Sequence, residues 1–245
     1  MCEKYFGGYS MDKKRKFRHE NKYLITAGQM ELLRNRIEGI CDLDRYSKTN
    51  GDYNIRSLYF DDYRSNSFGD NEIGVDNRSK YRIRIYNHSP ETIVLERKIK
   101  ENGMISKDRA VITLDFLKAI LEDRVMELDI HDDNPLINRF LLEYHTRYLR
   151  PRVIVEYDRE AYIMELEDIR ITFDKNISFS GDISSFLEEE MFLQPITLNG
   201  KELLEVKYTE MLPDFIYESL NLGKMQQITF SKYYLSEKYR RKEII

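Results

Sequence analysis

Cysteine is scarce and tryptophan is missing in this sequence of 245 residues, and each scarcity excludes a class of protein. The two cysteines, Cys2 and Cys41, lack metal-binding spacing, which argues against a zinc site and against a disulfide-stapled secreted domain. The absence of tryptophan and a net charge of −4 give little basis for a broad nucleic-acid-binding surface. We therefore expect a reducing, cytoplasmic setting and no nucleic-acid partner.

Long apolar runs are also missing, since none approaches the roughly 20 residues that a membrane-spanning helix needs. The first residues lack the apolar core of a signal peptide, and we expect residues 1–15 to form a flexible lead. No repeat, linker or low-complexity segment follows, so we expect one domain over residues 16–245. A membrane connection, if the function requires one, is expected to come from a separate partner.

Charged residues are abundant, at 33% of the chain, and several stand two positions apart in segments with strand-like sequence. Residues i and i+2 of a strand point to the same face, so each pair places its charges side by side. These pairs are Glu20 with Lys22, Arg82 with Arg84, Glu96 with Lys98, and Glu205 with Lys207. In three of these segments the alternate positions are mostly apolar, which gives those strands one apolar face and one charged face. The apolar positions are Tyr81, Ile83 and Ile85, then Ile93, Leu95 and Ile99, then Leu204, Val206 and Tyr208.

Two interpretations of the charged faces compete. Lysine, arginine and glutamate are common on the solvated face of a one-sided antiparallel sheet, and for any single strand this explanation is sufficient. The repetition over several strands, with Arg159 and Arg170 on two more, favours a shared site for a polyanion and a metal ion.

Periodicity and turn residues predict an α+β protein with about eight mainly antiparallel strands and amphipathic helices. Strands are predicted at 17–25, 53–60, 80–86, 92–100, 105–112, 152–163, 168–173 and 202–208, with a weaker one near 191–194. Helices are predicted at 26–38, 64–74, 114–121, 135–148, 213–222 and 230–240. We expect a closed antiparallel β-barrel with helices packed outside and a charged tunnel inside, because unpaired charges in a dry interior are too costly.

Eight segments together resemble the VTC domain, the polyphosphate polymerase domain of the vacuolar transporter chaperone complex. That domain is one of the triphosphate tunnel metalloenzymes, also called CYTH-like proteins. No single segment is diagnostic, but all occur in family order over nearly the whole chain. They are FRHENKYLI (17–25), SLYFDD (57–62), YRIRIY (81–86), LERKIK (95–100), EYDREAYI (156–163), IRITFDKNI (169–177), LLEVKY (203–208) and FSKYYL (230–235).

The resemblance implies a set of site residues and a divalent cofactor, Mn²⁺ or Mg²⁺. The implied phosphoryl-binding residues are Lys22, Arg82, Arg84, Lys98, Arg159 and Arg170. Further substrate contacts are implied for Lys107, Tyr157, Lys207, Ser231 and Lys232. Glu205 corresponds to the family's metal-binding glutamate, and Glu20 and Glu96 are candidate supports for the metal or for neighbouring lysines.

The implied activity is transfer of the γ-phosphate of ATP to a growing polyphosphate chain. A tripolyphosphatase or nucleoside triphosphatase, and a polyphosphate-binding or nucleotide-binding module without turnover, are the alternatives. Tunnel hydrolases typically begin with a Glu-x-Glu-x-Lys strand, whereas the corresponding residues here are Arg18, Glu20 and Lys22. A cation in place of the first carboxylate favours polyanion binding over metal-assisted activation of water. We therefore favour the polymerase over the hydrolase.

Overall fold

The computed structural model describes residues 15–47, 51–128, 133–196 and 198–242. The predicted flexible lead at 1–15 lies outside these residues except for its last position. Among the described residues, every helix is too short or too polar to cross a bilayer.

The described part of the chain forms one sheet of ten strands and six α-helices. The strands are β1 (His19–Thr26), β2 (Asp42–Leu43), β3 (Tyr53–Asp61), β4 (Arg78–Tyr86), β5 (Ser89–Glu101), β6 (Met104–Ile112), β7 (Arg150–Met164), β8 (Ile169–Ser180), β9 (Gln194–Pro195) and β10 (Lys201–Tyr208). The helices are α1 (Ala27–Ile37), α2 (Asn66–Glu72), α3 (Leu114–Leu121), α4 (Pro135–Thr146), α5 (Asp214–Ser219) and α6 (Lys232–Arg240).

Eight long strands pair antiparallel in the order β1-β10-β8-β7-β3-β4-β5-β6, and the sheet curls into an open half-barrel. The predicted closed barrel is therefore wrong. Strands β1 and β6 would have to pair along their length to close it. Among the described residues, the two edges are joined by one isolated bridge, between Arg18, just before β1, and Ile105 of β6. Their two backbone hydrogen bonds measure 2.9 Å each.

Apolar side chains on the convex face of the sheet are covered by helices, as the alternating pattern predicts. Helices α3 and α4 pack over β3 to β6, where Phe140 and Leu141 contact a cluster that includes Ile83 and Leu95. Helices α1 and α5 cover β1, β10 and β8 in the same way, in a second cluster that includes Val206. Burial of apolar surface contributes about 25 cal/mol of stabilisation per Å². Because the apolar faces are buried under the helices, the charged faces lie on the concave side.

Helix α6 departs from the predicted arrangement because it borders the concave side rather than the outside. Tyr233 of α6 packs with Tyr59 at a ring-centroid distance of 5.5 Å and donates a hydrogen bond of 2.5 Å to Asp61 Oδ2. Both tyrosines belong to an apolar cluster and also line the concave cavity. One end of the concave face is therefore filled by protein, and the first residues of α6 form part of the cavity wall.

Candidate functional site

The concave side of the half-barrel forms a cavity of about 1330 Å³ whose wall is rich in charged side chains. Sixteen lysine and arginine residues and six aspartate and glutamate residues line it. Since the whole chain carries a net charge of −4, the positive charge is concentrated here by folding and not by composition. A concave surface with one predominant sign of charge focuses its field and concentrates the opposite ions.

Thirteen of the fourteen site residues predicted from the sequence line this cavity. They are Glu20, Lys22, Arg82, Arg84, Lys98, Lys107, Tyr157, Arg159, Arg170, Glu205, Lys207, Ser231 and Lys232. The fourteenth, Glu96, is fully buried, with its carboxylate against cations that line the cavity. The structure therefore brings the predicted residues together in space, and their individual roles stay predictions.

Lys22 joins two of the predicted glutamates into one cluster. Its Nζ atom lies 2.9 Å from Glu20 Oε1 and 3.6 Å from Glu205 Oε1, because Lys22 is directly opposite Glu205 in the β1–β10 register. Lys98 contacts Glu20 at 2.8 Å and Lys207 contacts Glu205 at 2.5 Å. Burial alone would raise the pKa of both carboxyl groups, but the surrounding lysines hold each pKa well below its usual range.

Glu96 is the anionic centre of a second cluster. Its carboxylate lies 2.7 Å from Arg82, 2.8 Å from Lys107 and 3.2 Å from Arg109. Arg84 is slightly farther away, at 3.8 Å. Burial opposes ionisation here too, but Arg82, Arg84 and Lys107 outweigh it and keep the pKa of Glu96 well below its usual range. One carboxylate thus holds four cations at the cavity wall.

Arg82 and Arg84 lie on the concave face of β4, and each is oriented by a tyrosine hydroxyl. Arg82 Nη1 donates to Tyr59 Oη at 3.0 Å, and Arg84 Nη2 donates to Tyr157 Oη at 3.1 Å. A guanidinium group has five N–H donors in a fixed plane, so these contacts leave donors for a phosphoryl group. The arrangement is two adjacent, pre-oriented forks of the kind that bind phosphate oxygens in pairs.

The start of α6 adds a further cation to the cavity. Lys232 Nζ lies 2.6 Å from Asp174 Oδ2, and the same carboxylate receives two hydrogen bonds from Arg159, of 2.6 and 2.7 Å. Ser231 caps the helix by accepting a hydrogen bond of 3.3 Å from the backbone N–H of Tyr234. The positive end of the α6 dipole therefore faces the cavity beside Lys232. Asp174 was not among the predicted site residues, although it lies in the segment IRITFDKNI (169–177), which contributes to the family resemblance.

Lys80 is a cavity residue that the sequence interpretation missed. It stands two positions before Arg82 on the same face of β4, so the alternation that identified Arg82 and Arg84 also indicates it. It forms no salt bridge with a described carboxylate, and its Nζ atom lies 3.1 Å from Asn71 Oδ1 and 3.5 Å from Ser231 Oγ. Burial, reinforced by the charges of neighbouring cations, lowers the pKa of Lys80 to about 7.

The family model for the VTC domain matches residues 17–239. The chain belongs to the VTC domain family. The resemblance stated from the sequence is thereby confirmed over nearly the whole domain. No curated protein matches the sequence.

Two solved structures share the fold of this VTC domain. One is HpAC1 from Hippeastrum, a putative adenylyl cyclase described as having a dominant triphosphatase activity. It has 14% identity and a TM-score of 0.56, with 91% of this chain and 96% of that chain covered. The other is a putative adenylate cyclase from Bacillus halodurans, with 14% identity, a TM-score of 0.53, and coverage of 89% and 95%. At this identity the likeness shows the fold alone.

The described side chains of this VTC domain supply only part of the ligand set that a metal ion needs. No group of three or more histidine, cysteine, aspartate or glutamate side chains that could hold a metal ion occurs in the described ranges. Glu20 and Glu205 both contact Lys22, whereas Glu96 contacts a different set of cations. Two ionised carboxylates on one wall fit Mg²⁺ or Mn²⁺ when substrate oxygens complete the coordination, which is how Mg²⁺ is commonly held at phosphate sites.

Proposed function

We propose that this VTC domain is a metal-dependent polyphosphate polymerase. In this reaction the terminal oxygen of a polyphosphate chain attacks the γ-phosphorus of ATP, the bond from that phosphorus to the β-phosphate oxygen breaks, and ADP leaves. The observation that carries the proposal is the concave cavity lined by sixteen lysine and arginine side chains. A long polyanion needs many cations along one surface, and this surface supplies them in a half-barrel that is open to solvent.

The adjacent forks on β4 support a positioning role for the chain. Arg82 and Arg84 are two residues apart on the same face, so each can bind one of two consecutive phosphoryl groups. Lys98 of β5 and Lys232 at the start of α6 also line the cavity and would neutralise charge on the bound phosphoryl groups. Phosphoryl transfer needs in-line placement of the reactants and stabilisation of the charge on the transferred group more than covalent help.

Glu20 and Glu205 are the residues that would hold the divalent ion. Their contacts to Lys22 show that the two carboxylates are close to one cation already. When bound there, Mn²⁺ or Mg²⁺ would neutralise phosphate oxygens and orient the γ-phosphoryl group. Lys22 and Lys207 lower the pKa of both carboxyl groups, so that each is an ionised oxygen ligand at neutral pH before a metal ion binds.

The first strand favours transfer over hydrolysis. Arg18 lines the cavity at the position where tunnel hydrolases have their first glutamate. An additional cation strengthens the binding of an acceptor chain, whereas an additional carboxylate would assist a metal-bound water. Hydrolysis is the second candidate function, because the similarly folded HpAC1 is described as a dominant triphosphatase.

Product analysis separates the candidates. Purified protein would be incubated with ATP and Mn²⁺, with and without a short polyphosphate primer, and ADP, free phosphate and polyphosphate would be measured together. The polymerase predicts ADP and polymer in matching amounts, and loss of both in Arg82→Ala. ADP with an equal amount of free phosphate would show a hydrolase instead. Tight binding without ADP formation would show a binding module.

A further inference from the structure

Three tyrosines form an aromatic group on the cavity wall that the proposed phosphoryl transfer does not use. Tyr46, Tyr53 and Tyr86 all line the cavity. Their ring centroids lie 5.8 Å (Tyr46 to Tyr53), 6.2 Å (Tyr46 to Tyr86) and 6.3 Å (Tyr53 to Tyr86) apart. The rings of Tyr46 and Tyr86 are nearly parallel, with 5° between their planes. The cavity therefore has an aromatic section in addition to its cationic one.

Tyr46 is the accessible member of this group. Its side chain is 51% exposed, whereas Tyr53 is buried at 6%. The Arg45 guanidinium lies 4.6 Å from the Tyr46 ring centroid, and its Nη2 atom donates a 2.5 Å hydrogen bond to the Tyr46 hydroxyl. An exposed aromatic ring beside an arginine plane is the kind of surface on which nucleobases stack. Tyr53 is buried and has a role in packing, whereas packing of the 44–47 segment onto the sheet does not require a large exposed ring at position 46.

The aromatic section is continuous with the cationic one. Tyr53 Oη accepts a hydrogen bond of 3.1 Å from Arg170 Nη2. Tyr86 follows Arg84 by two residues on β4, and Arg82 precedes it by four. At a rise of about 3.4 Å per residue, Arg82 and Tyr86 are roughly 14 Å apart along the strand. An extended nucleoside triphosphate has a comparable length from its base to its γ-phosphoryl group.

We propose that Tyr46, Tyr53 and Tyr86 form the nucleobase subsite of this cavity, where the base of the nucleoside triphosphate donor binds. This inference rests on the proposed function, because it assigns the triphosphate of the same ligand to Arg82 and Arg84. The base stacks on the exposed Tyr46 ring, and the triphosphate extends along β4 toward Arg82. A stacked base contributes affinity without selecting strongly among bases, since every base has an aromatic face.

The test compares two ligands that differ only in the base. Dissociation constants of ATP and of ribose 5′-triphosphate would be measured for the wild-type protein and for Tyr46→Ala, without added divalent metal to prevent turnover. Loss of one stacked base costs roughly 5- to 140-fold in affinity. We expect ATP to bind more tightly than ribose 5′-triphosphate by a factor in this range in the wild type, and the two ligands to bind equally in Tyr46→Ala.

A matched control is Tyr63→Ala. Tyr63 is similarly exposed, at 60%, has Arg64 5.2 Å from its ring centroid, and lies outside the cavity lining. This variant should keep the preference for ATP. Equal binding of the two ligands by the wild type, or an unchanged preference in Tyr46→Ala, would overturn the nucleobase subsite while leaving the cationic cavity intact. Failure of the wild type to bind either ligand, both without metal and with added Mg²⁺, would overturn the proposed function, and the subsite with it.

Discussion

Glu96 shows how one buried side chain organises several charges. Arg82, Arg84, Lys107 and Arg109 surround its carboxylate, so without a ligand it is the principal group that offsets their mutual repulsion. Removing one partner of a buried ion pair leaves uncompensated charge, which costs about 3–5 kcal/mol. Its predicted role as a metal support is untested, whereas these contacts give it a structural role of its own.

Replacement of this residue tests that role. Glu96→Gln should lower the free energy of unfolding by about 3–5 kcal/mol at pH 7, and tripolyphosphate should restore part of the loss by neutralising the same cations. Glu91→Gln, on the exposed part of β5, is the control. Because the pKa of Glu96 is depressed in the folded state, its stabilisation is present above about pH 4.3, the unfolded value, and is lost as the pH falls further. Denaturant unfolding at pH 7 and at a series of pH values well below 4 measures both effects, and equal stability of Glu96→Gln and wild type at pH 7 would contradict the assignment.

Lys80 gives the cavity a response to pH near neutrality. Burial is the largest cause of its pKa of about 7, and the positive charges of Arg78 and Lys98 lower the pKa further. Asp61 raises this pKa, and Lys22 lowers it. A bound polyanion favours the protonated ammonium, so binding above pH 7 must take up a proton at this residue. Between pH 6 and pH 8 this proton uptake weakens binding by about tenfold, the value of one pKa unit.

The comparison of Lys80→Met with wild type isolates this contribution. We expect the wild type to lose about tenfold more of its tripolyphosphate affinity than Lys80→Met when the pH is raised from 6 to 8, as measured by titration calorimetry. Lys201→Met, at an exposed position of β10, should follow the wild type. Identical pH profiles for Lys80→Met and wild type would show that Lys80 does not contact the polyanion.

The long strands and helices were largely predictable because alternation and helical periodicity record which face is buried. Helix α3 was predicted at its observed bounds, and β4 was predicted with the correct inward and outward residues. Strand β8 was predicted to end at Phe173 but continues to Ser180. The polar residues after Phe173 resemble a loop in isolation. They form a strand because Asp174 and Phe179 pair with Arg159 and Val155 of β7, a contact that local sequence does not encode.

Closure of the sheet was the architectural error, and its cause lies in the relation between distant strands. The pattern of β1 and β6 shows that both have a charged concave face, but it does not record the curvature that decides whether their edges meet. The single bridge at Arg18 and Ile105 shows that they approach without pairing along their length. Similarly, the amphipathic pattern of α6 indicates burial of one face and does not indicate which side of the sheet it packs against.

For the molecule as a whole, the site was more predictable than the reaction. Charge pairs at a spacing of two residues and the family resemblance located thirteen cavity-lining residues. Lys80 was missed although it continues the alternation of Arg82 and Arg84. Asp174 and the tyrosines at 46, 53 and 86 were missed because a carboxylate in a loop-like segment and dispersed aromatics carry no signal before folding brings them together. The choice between an acceptor chain and water depends on the placement of a small nucleophile, which composition and alternation do not determine.

The central claim is that the concave cavity binds a chain of phosphoryl groups. The crowded cations that line it repel one another, so a bound polyanion should stabilise the folded state by mass action. Thermal unfolding with tripolyphosphate at about 100 times its dissociation constant should show a gain of about 2.7 kcal/mol. For a protein of this size that gain corresponds to a rise of roughly 5–10 °C in melting temperature.

Monophosphate at equal ionic strength is the decisive comparison in the same measurement, because it matches screening but spans a single phosphoryl position. The account predicts a much larger rise in melting temperature with tripolyphosphate than with monophosphate, and a smaller difference when salt is added, since screening weakens the attraction. Equal melting temperatures in tripolyphosphate and monophosphate would contradict it.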